Sequence, residues 1–145
     1  MIPKFRVWDE TQHKMLQVDC IEFIDGKAYW VEASPADGNV QGGNDGPVGD
    51  NSQLKLEQYT GLKDANGKEI YEGDILATSS KIGGKLITDY LKVDWREDYA
   101  GFFCGETPLY ACLSEWNNDI KYPQTFPEIA GNAHENPELL EVQHG

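Results

Sequence analysis

Polar and apolar residues alternate in short runs along the first third of the chain. In Lys4-Phe5-Arg6-Val7-Trp8, Phe5 and Val7 face one way while Lys4, Arg6 and Trp8 face the other, the period of a half-buried strand. The polar stretch 9–14 ends it. Residues 18–24 and 27–33 predict two further strands, and Asp25-Gly26 between them offers the positive φ that a two-residue hairpin turn needs. Alternation returns in 54–59. Asn66-Gly67 then predicts a tight hairpin with a type I′ turn, in which both central residues have positive φ. Glu72-Gly73-Asp74 predicts a second turn that leads into a strand over 75–78.

Further on, residues 86–95 form a long strand candidate carrying Ile87, Tyr90, Leu91, Val93 and Trp95. Shorter candidates cover 101–104 and 109–113, and a last one covers 127–132. Asn136-Pro137-Glu138 opens a short helix over 136–141, with Asn as N-cap, Pro at the first helical position and Glu where the helix dipole favours an anion. No stretch sustains a helical period over three turns, so the expected fold is mostly β: a small β-barrel-like domain of short antiparallel strands with a short C-terminal helix.

The segment 34–53 breaks the pattern. It holds five Gly, two Pro and three Asp and lacks Lys, Arg and aromatic residues. So little apolar surface cannot offset the entropy of ordering, which predicts a mobile Gly-rich loop. Closing a loop of that length costs only about 2–3 kcal/mol plus a constant, so one domain spanning 1–145 can carry it. The 33 residues before it are too few to fold alone.

Composition sharpens this picture. Four Trp, seven Tyr and five Phe in 145 residues suit a pleated sheet. No apolar run approaches the roughly 20 residues of a membrane span, and the N-terminus lacks a signal peptide, so a cytoplasmic location is expected. Cys20, Cys104 and Cys112 are odd in number and widely spaced, which supports neither a zinc site nor a disulfide framework; buried, inert thiols are expected. The net charge is −13, and after residue 100 a single Lys faces seven acidic residues. Such a chain has no electrostatic footprint for binding a phosphate backbone, although it could imitate one.

Three blocks resemble the YopX family of phage and prophage proteins: Lys4-Phe5-Arg6-Val7-Trp8-Asp9 with Met15 soon after, the block 58–75 (Gln58-Tyr59-Thr60-Gly61 through Glu72-Gly73-Asp74-Ile75), and the ending 128–140. The resemblance spans nearly the whole chain. It implies a small β-barrel-like protein, phage- or prophage-encoded, often multimeric and acting in the bacterial host, with no established biochemical activity. It supplies no catalytic or binding residue.

The remaining candidates for chemistry are weak. Asp64-Ala65-Asn66-Gly67-Lys68-Glu69 invites a calcium reading, but its Gly and Glu fall at the wrong positions for an EF-hand loop and Lys68 lies between them. Asn44-Asp45-Gly46 and Asp50-Asn51 offer oxygen ligands without a bidentate Glu. Asp74 is expected to cap the backbone of its own turn. His13, His134 and His144 have no second ligand at i+4 or Cys nearby. Trp95, Tyr99, Phe102 and Phe103, with Arg96 among them, form the densest aromatic cluster. As a base-stacking platform it would be opposed by Asp94, Glu97 and Asp98, so core packing or a subunit interface is the better reading. No catalytic, metal or cofactor site is expected. The expected function is a non-enzymatic interaction module, a homo-oligomer with a possible host-protein partner and with neither membrane nor direct nucleic-acid binding. The alternative is an acidic nucleic-acid mimic that inhibits a host DNA-binding protein.

Overall fold

The computed structural model describes residues 3–37, 41–114 and 125–141. The chain divides into two units, Met1–Tyr59 and Thr60–Gly145. In the first unit, the alternating segments become β1 (Phe5–Asp9), β2 (Lys14–Ile24), β3 (Lys27–Ser34), β4 (Asn44–Pro47) and β5 (Leu54–Lys63), and β5 runs on past Tyr59 into the second unit. Their order is β4-β3-β2-β1-β5, with each neighbouring pair antiparallel. Side chains of one pleat parity, Val7, Leu16, Val31, Ala33 and Leu54, meet in a core. Asp25 (φ 52°) and Gly26 (φ 81°) close the β2–β3 hairpin, the two positive φ values expected there.

The segment 34–53 differs from the expected loop, because β4 lies within it. Pairing supplies what apolar side chains do not: Asn44, Asp45, Gly46 and Pro47 stand opposite Ala33, Glu32, Val31 and Trp30. Gly43 and Gly46 make this close approach possible. A Cβ on Gly43 would lie 3.0 Å from the Ala33 carbonyl, and one on Gly46 would lie 3.4 Å from the Leu54 side chain. The glycines that look like flexibility in the sequence act here as thin spacers.

The second unit adds β6 (Glu69–Tyr71) to the far end of β5. It continues with β7 (Asp74–Ile82), β8 (Lys85–Arg96), β9 (Gly101–Cys104), β10 (Thr107–Pro108), helix α1 (Leu109–Ser114), β11 (Thr125–Asn132) and a 3-10 turn (Pro137–Glu141). Its main sheet has the order β10-β9-β8-β7-β11 and is antiparallel throughout. Ile70, Leu76, Val93, Cys104 and Leu109 form its core.

Three expectations are corrected. Residues 109–113 are helical, because Leu109, Cys112 and Leu113 turn one i, i+3, i+4 face into the core while Tyr110 points outward. The C-terminal helix is a 3-10 turn. The sheets do not close into a barrel: β4 is short and carries Pro47, and β10 has two residues, one of them Pro108. Short, proline-bearing edges are poor partners for another strand. What stands is a mostly-β fold of two antiparallel sheets with one short helix. Among the described residues, no helix is long and apolar enough to cross a membrane.

Candidate functional site

The most distinctive sequence block, 58–75, folds around two carboxylates. Between β5 and β6, Gly67 N–H donates to the Asp64 carbonyl (3.0 Å) and Asp64 N–H donates to the Lys68 carbonyl (2.9 Å). Gly67 has φ 82°, whereas Asn66 stays outside the left-handed region. The turn is therefore a three-residue loop with a glycine bulge and not the expected type I′ pair. Asp64 explains the choice. Its Oδ1 accepts the N–H groups of Asn66 and Lys68, both at 2.9 Å, and this holds the backbone in the longer turn.

The same side chain reaches a distant strand. Asp64 Oδ2 accepts the Ile129 N–H at 3.0 Å, and the neighbouring Ala65 N–H donates to the Pro127 carbonyl at 3.1 Å. The hairpin turn thus occupies the outer edge of β11, where an unpaired strand would otherwise show free backbone groups. Asp64 has little oxygen left for a cation, and the calcium reading finds no support. Nearby, the Thr60 hydroxyl donates to the Ile70 carbonyl (2.7 Å), and Asp74 Oδ2 accepts the Tyr71 N–H (2.8 Å), as expected for a carboxylate capping its own turn.

Asp9 in the first unit is a comparable hub that sequence reasoning missed. It is fully buried at the end of β1. Its Oδ1 accepts the N–H groups of Thr11 (2.9 Å) and Gln12 (3.2 Å), and its Oδ2 accepts the side-chain amides of Gln12 (2.7 Å) and Asn44 (3.0 Å). Burial pushes this carboxyl up, but the hydrogen bonds from the Gln12 and Asn44 side chains and from the Gln12 and Thr11 backbone outweigh burial, and its pKa lies below the usual carboxylate value. The available signal was an Asp at a strand end followed by polar residues, the pattern of an Asx turn. Asn44 is thereby committed to Asp9. Asp50 offers its backbone carbonyl, not a side chain, to the Lys55 ammonium.

The other sequence candidates separate. Among the described residues, no group of three or more His, Cys, Asp or Glu could hold a metal ion, and no buried side-chain nitrogen or oxygen lacks a hydrogen bond. His13 packs edge-on against Trp8 with ring centroids 4.9 Å apart, the His134 N–H donates to Asn132 Oδ1, and His144 lies outside the described residues. Hydrogen bonding with Cys112 and burial push the Cys104 thiol up, away from thiolate chemistry. Cys20 is exposed, contrary to expectation. An irregularity in the ladder between Val18 and Cys20 sets Cys20 opposite Glu32 on the outer face.

The aromatic cluster is split by the pleat. Trp95 and Phe102 are a cross-strand pair with centroids 5.0 Å apart, on the side of Val93 and Cys104. Arg96 lies on the other side, over the rings of Tyr99 (4.9 Å) and Phe103 (4.7 Å), and its guanidinium pairs with Asp98 at 3.0 Å. Among the described residues, the cluster forms no continuous stacking platform. Large apolar groups do remain at the surface: Phe23, Ile24 and Tyr29 near the β2–β3 turn, and Trp95, Tyr99 and Tyr110 in the second unit.

Fold and sequence place the chain among known proteins. The family model described as YopX protein matches residues 4–141. The chain belongs to the YopX family. A solved structure of similar fold is the crystal structure of protein EF1440 from Enterococcus faecalis, 29% identical, covering 97% of this chain and 99% of that one with a TM-score of 0.63. No curated protein matches. In this YopX protein, Asp64 and Asp74 of the block 58–75 are committed to turns and to the edge of β11.

Proposed function

We propose that this YopX protein is a phage- or prophage-encoded, non-enzymatic interaction module that works in the cytoplasm of a bacterial host as a homo-oligomer. The observation that carries this reading is the contrast between spent polar groups and unspent apolar ones. The buried carboxylates Asp9, Asp64 and Asp74 accept backbone hydrogen bonds, whereas Phe23, Ile24, Tyr29, Trp95, Tyr99 and Tyr110 are between 45% and 69% exposed. Phe23, Ile24 and Tyr29 gather near one turn, and large apolar groups held together at a surface favour a contact role. Light scattering of the full chain over a concentration series, with affinity capture from the host, tests the reading. A mass above the monomer at working concentration supports it. A strict monomer that captures no host protein overturns it.

The charge of −13 motivates a second reading, a decoy for the nucleic-acid groove of a host enzyme. Failure to compete with DNA for a host nuclease removes it.

A further inference from the structure

Two of the three cysteines meet in the core of the second unit. Cys104 ends β9, and the chain reverses at Gly105-Glu106, so that Thr107 of β10 stands opposite Cys104. Pro108 leads straight into α1, which packs back on β9 and β10. Leu109 is buried at the start of the helix, and Cys112 follows three residues later on the same inward face. A hairpin and one helical turn thus bring two thiols to one spot, where a hydrogen bond joins them. Their surroundings differ, since Cys104 is fully buried and Cys112 half-buried. Cys20, the third cysteine, is exposed on β2 of the first unit.

We propose that Cys104 and Cys112 are a redox pair, two thiols that close into a reversible disulfide and fasten α1 to β9. The inference goes beyond the interaction module above and does not depend on it. Two features carry it: the sulfurs are already in contact, and their unequal access gives each a separate role. A small disulfide such as oxidised glutathione is the oxidant. The half-buried Cys112, as its thiolate, attacks one sulfur of that disulfide. The S–S bond breaks, and one glutathione leaves and takes up the proton that Cys112 gave. Cys104 then loses its proton and attacks the Cys112 sulfur, which forms the internal disulfide and releases the second glutathione with that proton. Two protein thiols are oxidised, and one disulfide is reduced to two thiols.

Hydrogen bonding with Cys112, burial and repulsion from Cys112 all push the Cys104 thiol up, which keeps it from reacting first. Once Cys112 is bonded to sulfur it carries no charge, the repulsion is gone, and the second step is eased. Sulfurs held against each other react internally faster than with a further glutathione from solution. A reducing glutathione pool keeps such a pair open, and an oxidised one closes it.

The test uses the full-length chain with Cys20→Ser, which removes the exposed thiol and keeps the pair. The folded chain is equilibrated with graded ratios of oxidised to reduced glutathione. Remaining thiols are trapped by alkylation in denaturant and read by intact mass and peptide mapping. The expected product is two hydrogens lighter, carries neither alkyl group nor glutathione, links the Cys104 and Cys112 peptides, and reverts in dithiothreitol. Its melting temperature is expected to exceed that of the reduced chain by about 5 °C or more. Adding Cys112→Ser is expected to leave Cys104 a free thiol, and adding Cys104→Ser to leave glutathione held on Cys112, with melting confirming that each variant is folded. A folded pair that stays alkylatable at the most oxidising ratio overturns the proposal, as does a chain that stops with glutathione on Cys112. A link that forms without raising the melting temperature overturns the fastening of α1. Glutathione on Cys104 in the Cys112→Ser chain overturns the order of steps. The outcomes for the intact pair need neither added variant, so a variant that fails to fold does not shield the proposal.

Discussion

Single carboxylates do much of the organising in this YopX protein. Asp9 collects four N–H donors in a buried position, and removing it takes the shared acceptor from all four, of which the Gln12 side chain keeps a bond to the Gly42 carbonyl. Asp9→Ala is expected to destabilise the first unit by about 3 kcal/mol, read from urea unfolding. The carboxyl also makes stability depend on pH. Its folded pKa is lowered, so the stability it contributes is present above the unfolded value, about 3.9, and is lost as pH falls through the folded value. Melting temperature should therefore drop below about pH 4 in the wild type, and Asp9→Asn should weaken that dependence. Gly67 is a second decisive position. Its φ is 82° and a Cβ there would meet nothing within 4 Å, so any loss is backbone strain alone. Gly67→Val is expected to cost about 1–2 kcal/mol in thermal unfolding, with Gly67→Asn costing less. Loss of partner binding at unchanged melting would instead make the turn functional.

At the level of elements, helix α1 gives a sharp contrast. Leu109 is 1% exposed and Tyr110 is 69% exposed. Leu109→Ala is expected to lower stability by about 2–5 kcal/mol, and Tyr110→Ser by no more than about 0.5 kcal/mol, both from denaturant melts. Gly131 in β11 is equally specific: a Cβ there would collide with the Asn136 carboxamide, whose Oδ1 accepts the Asn132 N–H at 3.3 Å. Gly131→Ala should destabilise by about 1–3 kcal/mol, and adding Asn136→Ala should recover part of the loss in a double-mutant cycle. These elements also show what was legible. Alternation identified β3 because it buries one face, with Val31 and Ala33 inside; β1 was identified as a half-buried strand, whereas Val7 and Trp8 are buried on both of its faces; and Asp25-Gly26 identified its turn because few residues tolerate positive φ. The helix was missed because six residues are too few to display a period. β4 was missed because its stability comes from backbone pairing and thin glycines, which leave no apolar trace. The hubs at Asp9 and Asp64 escaped for a related reason, since their partners lie up to 65 residues away.

For the molecule as a whole, charge sets a condition on any association. A chain of net charge −13 repels its own copies at long range, so any contact between copies would have to offset that repulsion locally. The contact between the hairpin turn and β11 has a different consequence, one of timing. Asn66 and Lys68 reach Asp64 within a few residues, so the turn closes early. Ile129 must come from 65 residues further along, so during synthesis Oδ2 of Asp64 and the N–H of Ala65 wait until most of the chain has emerged from the ribosome. In pulse-labelled hydrogen exchange, the amide of Lys68 should become protected first, and those of Ala65 and Ile129 together and later. The carboxylate that shapes an early hairpin thereby marks the moment at which the second unit is complete.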